Sequence, residues 1–273
     1  MKKVGININE SKDKDGIIFN ETVKTLKENA SNIEIYKIAT REDVVDKDLD
    51  MILVFGGDGT ILRAGREFSQ YKDTPILGIN IGHLGFLSTI EYDEFKENIS
   101  KILKNNFRIE KRLMLKSYIK GSGSDVVLYS LNDLVVCRGT LSRMAKYKIK
   151  INGDECMEFK GDGVIISTPT GSTAYSFSAG GPIVYPTLRQ ISITPICPHS
   201  PSLRTIIIDE NSEITITASA NDSILYASTD GQKFNLLEND FELTVRKAER
   251  DCNLIMLKEV NYYDVLKSKI INI

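Results

Sequence analysis

The feature that most constrains the fold is a change in hydrophobic period along the chain. Through about residue 105, strand-like and helix-like stretches alternate, the pattern of a parallel sheet covered by helices. Val4, Ile6 and Ile8 fit a first strand, Val23, Leu26 and Ala30 the face of a helix, and Ile33 to Ile38 a second strand. Met51 to Phe55 is unbroken apolar sequence, as a strand buried on both faces requires, and is expected to be central. Ile61, Leu62, Ala64 and Phe68 follow at helical spacing, then a short strand at Ile76 to Ile79. Phe95, Ile99, Ile102 and Leu103 fit a further helix with Asp93 as its N-cap. From about Leu113 the period drops to two: Leu113, Leu115 and Ile119 alternate, as do Tyr147, Ile149 and Ile151, then Ile214, Ile216 and Ala218, then Phe241, Leu243 and Val245. Asn152-Gly153 between two such runs predicts a tight hairpin, because a type I′ turn needs positive φ at both central residues. The chain is therefore expected to be an α/β N-terminal domain with a Rossmann-like parallel sheet over 1–108 and a mostly-β C-terminal domain over 109–251. Apolar Leu254 to Leu257, and a short helix with Tyr262, Tyr263, Leu266 and Ile270 on one face, are expected to return as 252–273 to the first domain.

Composition narrows the function classes. The 273 residues, 41% hydrophobic and 26% charged, suit two modest globular domains and exclude collagen-like or broadly disordered readings. Lys+Arg 35 against Asp+Glu 37 gives a net charge of −2, so no global field draws the chain to nucleic acid, and none is expected as a partner. The longest strictly apolar run, Met51 to Phe55, is far short of the ~20 residues of a bilayer span, so no membrane insertion is expected. Val4 to Asn9 alternates without an unbroken apolar core, which predicts a strand rather than an export signal and a cytoplasmic protein. Cys137, Cys156, Cys197 and Cys252 are dispersed without a C-x-x-C pair and read as buried small hydrophobes in a reducing compartment.

Two stretches carry chemistry. The first is Phe55-Gly56-Gly57-Asp58-Gly59-Thr60, set between the buried strand and an amphipathic helix. Glycines there let the backbone approach a ligand, and a helix start offers N–H groups and a positive dipole end to phosphate. A carboxylate beside phosphates is repelled unless a metal or a substrate hydroxyl intervenes, so Asp58 reads as a base or a metal partner. The structural alternative is a tight turn in which Asp58 caps the helix. Neither a P-loop nor the usual dinucleotide fingerprint is present.

The second stretch runs from Lys160-Gly161-Asp162-Gly163 through Ser167-Thr168-Pro169-Thr170-Gly171-Ser172-Thr173-Ala174-Tyr175-Ser176-Phe177-Ser178 to Gly180-Gly181-Pro182. A strand with a Gly-rich entry meets a Pro-Thr-Gly break, and hydroxyls crowd the segment that follows. Hydroxyls suit base edges and ribose hydroxyls, while Lys160 and Asp162 bring one charge of each sign into the same loop. A Ser/Thr-rich turn alone accounts for three or four of these residues and not for the whole string.

Taken together, GGDGT, Leu131-Asn132-Asp133, the GDG…TPTGSTAYSFSAGGP string and Asp230-Gly231-Gln232 resemble the NAD kinase family, in matching order over residues 51 to 232. Diacylglycerol and sphingosine kinases carry a motif similar to GGDGT, whereas TPTGSTAY is specific. The resemblance implies an N-terminal α/β domain, a β-sandwich-like C-terminal domain, a closing segment that returns to the first, and a homo-oligomer, often a tetramer. It implies NAD and ATP as substrates, with Mg²⁺ or Mn²⁺ accompanying the ATP. It makes Asp58 the proton acceptor and assigns Gly56, Gly57, Gly59 and Thr60 to the ligand-contacting loop. It carries contact roles onto Phe86, Asn132, Asp133, Arg143, Lys160, Asp162, Gln232 and, for the adenosine turn, Thr173, Ala174, Tyr175 and Ser178. Asp133 stands where the family more often has glutamate, one methylene longer, so a ribose contact there needs a bridging water. Pro201 and Leu203 also depart from the family's Leu and Phe.

His83 and His199 lack metal-ligand spacing; His83 falls beside Phe86 in a family motif, where a contact role outranks a general-base role. Lys101, Lys104, Arg108, Lys111 and Arg112 read as a solvated helix end. The rivals to an NAD kinase are a lipid kinase of the diacylglycerol type, which needs an apolar groove, and a dinucleotide sensor that performs no chemistry.

Overall fold

The computed structural model describes residues 1–82, 85–120, 125–139, 144–220, 224–237, 241–257 and 261–271. The chain divides into two compact units: Met1–Lys111 with Cys252–Ile273, and Arg112–Asp251. The division falls three residues beyond the expected boundary at 108, inside the strand Arg108–Arg112.

The first unit contains β1 (Lys2–Ile8), α1 (Ile17–Asn29), β2 (Ile33–Lys37), α2 (Glu42–Val45), β3 (Met51–Gly56), α3 (Asp58–Phe68), β4 (Ile76–Asn80), β5 (Ile90–Glu91), α4 (Tyr92–Leu103) and β6 (Arg108–Arg112). Its sheet runs β2-β1-β3-β4, then a strand from far along the chain, then β6, with β5 beside β4; every pair among β1 to β5 is parallel. All six residues of β3 are buried, as the unbroken apolar run requires of an interior strand. Val4, Leu26, Leu53, Phe55, Ile79, Phe95 and Ile102 form the core. The Phe55 ring meets Phe95 and Tyr92 edge-on, with centroids 5.4 and 6.0 Å apart, and so fixes the point where the chain leaves the sheet.

Four local expectations differ from the structure. The N-cap of α4 is Glu91, not Asp93: Glu91 and Glu94 form a reciprocal capping box, which leaves Asp93 in the first turn. The basic run 101–112 is not one helix end, since α4 stops at Leu103, Arg108 to Arg112 form β6, and Arg112 is buried. Of the four cysteines, Cys252 is buried and Cys137 half-buried, while Cys156 and Cys197 are exposed. In the terminal helix Leu266 is buried but Tyr263 is exposed, so the two do not share a packed face.

The second unit contains β7 (Leu115–Lys120), β8 (Val126–Ser130), β9 (Asp133–Arg138), β10 (Ala145–Ile151), β11 (Asp154–Gly161), β12 (Gly163–Ser167), α5 (Tyr175–Ser178), β13 (Gln190–Ile196), β14 (Ile206–Asp209), β15 (Ile214–Ser219), β16 (Leu225–Thr229), β17 (Lys233–Leu237) and β18 (Glu242–Lys247). Two antiparallel sheets, β11-β10-β15-β18-β7-β8 and β14-β13-β12-β9-β16-β17, face each other. Leu115, Tyr147, Ile149, Ile216, Leu243 and Val245 of one pack on Leu134, Val136, Val164, Ile166, Ile193 and Ala227 of the other. Asn152 (φ 53°) and Gly153 (φ 90°) form the two-residue turn of the β10–β11 hairpin, both left-handed as that turn needs.

The last described strand, β19 (Cys252–Met256), rejoins the first unit's sheet beside β4, with Leu254 opposite Ile76. α6 (Tyr262–Leu266) follows and continues into a single π turn, Lys267–Ile271.

Candidate functional site

In the first unit, β3 ends at Gly56, Gly57 is the N-cap of α3 in an extended conformation, and Asp58 is the first helical residue. Asp58 does not cap α3. Its carboxylate instead accepts hydrogen bonds from two backbone amides of a later loop, Phe86 N to Oδ2 at 2.7 Å and Leu87 N to Oδ1 at 3.2 Å. Among the described residues these are its two donors, and each carboxylate oxygen has a further lone pair to offer. Phe86, a contact residue by resemblance, therefore meets the Asp58 carboxylate through its main chain. Gly85 makes this approach possible, because a Cβ there would stand 2.0 Å from Asp58 Oδ1. Thr60 is buried and accepts a hydrogen bond from Asn9 Nδ2 at 3.2 Å, while Gly59 is exposed.

Lys12, which no motif marks, also reaches this loop. Its ammonium donates to the Ile81 carbonyl at 2.9 Å and lies 3.8 Å from where a Cβ would stand on Gly57. His83 lies outside the described residues.

In the second unit the hydroxyl-rich string divides in two. Thr168 Oγ1 donates to Leu131 O at 2.6 Å and accepts from Gly171 N at 3.1 Å; Ser172 Oγ donates to Pro169 O at 2.7 Å and accepts from Val184 N at 3.0 Å; buried Ser176 pairs with Thr194 at 3.2 Å. These hydroxyls hold a 3₁₀ turn, Thr170–Thr173, and the one-turn α5 against the sheet. Thr173 and Ala174 are half-buried, and Tyr175 and Ser178 are exposed. A Cβ on Gly171 would lie 2.1 Å from the Asn132 carbonyl oxygen, so the 3₁₀ turn sits directly on that residue.

Asn132 and Asp133 stand at the start of β9, and both are held from below. The Asp230 carboxylate, 8% exposed on a residue with φ 54°, accepts from Leu131 N at 3.1 Å, Asn132 N at 2.8 Å and Asp133 N at 3.2 Å. Asp230 N returns a hydrogen bond to Asp133 O at 2.9 Å. The Asp133 side chain is itself buried, and burial, reinforced by the charge of Asp230, pushes its carboxyl up to about 7.

Other positions differ from the sequence reading. Asp162 does not share a loop with Lys160: Lys160 ends on β11 as an exposed side chain, and the Asp162 carboxylate is paired with Arg138 Nε at 2.7 Å. Gln232 is exposed in the β16–β17 turn, where its N–H donates to Thr229 O at 3.0 Å. Arg143 lies outside the described residues. Asp230 stands in a noted motif whose assigned contact was Gln232, whereas Lys12, Gly85 and Arg138 act through contacts between segments that no spacing reports.

The N-terminal domain model of ATP-NAD kinases matches residues 5–107, and the C-terminal domain model of the same family matches residues 131–257. The chain is 45% identical to an NAD kinase of Clostridium perfringens over the whole length of both chains. It is 43% identical to one of Clostridium beijerinckii over its full length and 96% of that protein. Among solved structures it resembles yeast NADH kinase complexed with NADH, with a TM-score of 0.88 and 25% identity over 100% of this chain and 88% of that one. It also resembles an NAD kinase of Archaeoglobus fulgidus in complex with ATP, with a TM-score of 0.76 and 25% identity over 99% of each.

Gly85→Ala is expected to lower stability by about 1 to 3 kcal/mol, the usual cost of overpacking. Because the clash is with the Asp58 carboxyl group, the cost should vanish in an Asp58→Ala background. Urea unfolding of both single variants and the double variant checks this, and simple additivity would show that Gly85 does not serve that approach.

Proposed function

Because the chain belongs to the ATP-NAD kinase family, we propose that it transfers the γ-phosphate of ATP to the 2′-hydroxyl of the adenosine ribose of NAD, giving NADP and ADP. The observation that carries this reading is the Asp58 carboxylate, aimed by two backbone amides at the mouth of a glycine turn that begins a helix. The division of labour follows the two units. The first, with its returning segment, receives phosphates at Gly56, Gly57, Gly59 and Thr60, where the dipole of α3 favours negative charge. The second binds the dinucleotide through Asn132, Asp133, Arg143, Lys160, Asp162, Thr173, Ala174, Tyr175, Ser178 and Gln232; Phe86 is a contact residue of the first unit.

Asp58 accepts a hydrogen bond from the attacking hydroxyl, orients it in line with the γ-phosphate, and takes the proton late, as a loose phosphoryl transition state requires. The amides of Phe86 and Leu87 hold the carboxylate in place, so little reorganisation accompanies the transfer. Lys12 places a cation on a flexible stem beside the glycine turn, which suits a phosphate oxygen. A divalent ion, Mg²⁺ or Mn²⁺, supplies charge neutralisation of the triphosphate. Among the described residues no group of three His, Cys, Asp or Glu side chains is placed to hold a metal.

Full-length similarity to NAD kinases favours neither the lipid-kinase nor the sensor reading. No described helix is long and apolar enough to cross a membrane; the cytoplasm is the compartment we propose for the chain, as one in which NAD and ATP are both met. It assembles as a homo-oligomer, a tetramer by resemblance. Support comes from edge strand β17, where Phe234 and Leu236 are 68% and 61% exposed, side by side on an unpaired edge.

Asp58→Asn should lower kcat for NADP formation by about 10²- to 10⁴-fold while leaving NAD affinity within a few-fold. An asparagine can answer only one of the two amides, so stability should also fall by about 1 to 3 kcal/mol. Turnover, calorimetric NAD binding and melting of this variant decide the matter, and turnover within tenfold of wild type would refute the assignment. Lys12→Gln should raise KM for ATP roughly tenfold, as loss of a charged hydrogen bond does, with KM for NAD unchanged; equal effects on both substrates would remove Lys12 from the phosphate site. Light scattering at micromolar concentration should report an oligomer that Phe234→Glu/Leu236→Glu dissociates, and a fully active wild-type monomer would exclude assembly.

A further inference from the structure

Asn132 and Asp133 belong to the dinucleotide site on the reading above, and the present inference rests on that reading. Neither residue is held by its own side chain. Their main-chain amides, with that of Leu131, converge on the Asp230 carboxylate, which has three donors for its one negative charge. Asp133 is 3% exposed, and among the described residues no hydrogen bond reaches its carboxyl group. Two neighbouring buried carboxyls cannot both ionise cheaply, and the one with amide donors keeps the charge.

We propose that Asp230 is a positioning residue for NAD: it fixes the Asn132–Asp133 turn and, by holding the anion itself, leaves Asp133 to meet the dinucleotide as a neutral acid. A neutral acid can both donate to and accept from a ribose hydroxyl, and it adds no negative charge beside a pyrophosphate. This gives the shorter aspartate a physical sense at a position where glutamate is commoner. Its carboxyl stays close to the main chain and to Asp230, where ionisation is disfavoured. Burial and the Asp230 charge raise Asp133 to about 7, in keeping with that division.

Among the described residues, no cation contributes to the shift of the Asp133 carboxyl; the nearby buried Arg112 donates to Thr170 Oγ1 at 3.4 Å. Across the sheet stands Ser167 of β12, which carries no charge. Beyond β16 stands Asp230, and from α5 the Tyr175 phenol, itself raised first by burial and in part by the charge of Asp133. The nearest cation on the same strand, Arg138, is committed to Asp162. Asp133 is therefore neutral below about pH 7 and anionic above it, and affinity for NAD should fall as pH rises through that value.

NAD binding to the full chain without ATP, measured by calorimetry, avoids the titration of the triphosphate. Wild-type Kd should rise by up to about thirtyfold from about pH 6 to about pH 8.5, the limit set by linkage to one proton when only the neutral form binds. Asp133→Asn, an uncharged isostere, should abolish this dependence and bind NAD more tightly than wild type at the alkaline end. Asp230→Asn should move the wild-type rise to lower pH and weaken binding at neutrality. A flat wild-type profile, or an Asp133→Asn variant that keeps the wild-type slope, would overturn the proposal. Should Asp230→Asn fail to fold, the first two profiles still decide. Asp133→Ala and Asn132→Ala separate the two layers of inference: if both leave Kd unchanged, the dinucleotide reading of this turn fails and the proposal falls with it. If they weaken binding while the wild-type profile is flat, only the role given to Asp230 is wrong.

Discussion

A carboxylate taken out of water needs hydrogen-bond donors, and a loop without side-chain packing needs something to hold it; in this protein each problem answers the other. Asp58 collects the amides of Phe86 and Leu87, Asp230 those of Leu131, Asn132 and Asp133, and Asp13 those of Ile18 and Phe19 at the start of α1. Asp58 and Asp230 tie down main chain far away in sequence and Asp13 a stretch five and six residues on, and the charge-assisted hydrogen bonds are stronger than neutral ones. In both functional loops the carboxylate anchor works together with a buried leucine, Leu87 in one and Leu131 in the other. The same arrangement explains why small residues surround the anchors. At Gly85 a single methyl group would displace the carboxylate it faces.

The hydroxyl string in the second unit follows a related logic. Thr168, Ser172 and Ser176 are spent on internal contacts that hold a 3₁₀ turn and one turn of helix against the sheet. Thr173, Tyr175 and Ser178 remain at or near the surface. The inward set gives the outward set a fixed backbone, and without it a segment this short would not keep helical geometry.

What was legible in the sequence was whatever period or turn chemistry encodes locally. The buried β3, the alternating strands of the second unit and the Asn152-Gly153 hairpin could all be read because apolar spacing and positive-φ residues report them directly. The errors arose where a reciprocal side-chain contact or a strand partner decides. Asp93 looked like a cap because the Glu91–Glu94 pair depends on a reciprocal contact, and the basic run hid a strand because β6 is specified by pairing in the sheet rather than by alternation. At the site, GGDGT and TPTGSTAY located the two loops. Nothing in the spacing could show that Asp58 faces the 85–87 loop, that Asp162 pairs with Arg138, or that Asp230 lies beneath Asn132.

The place of β19 in the first sheet also bears on how the protein is made. The strand lies between β4 and β6, although about 140 residues of chain separate it from β6. On a ribosome the first unit must wait with an open strand edge while the whole second unit emerges, because β6 has no neighbour until β19 arrives. The second unit is continuous and faces no such delay. Vectorial synthesis therefore favours completion of the later-made body first, with closure of the parallel sheet as a long-range, slow final event.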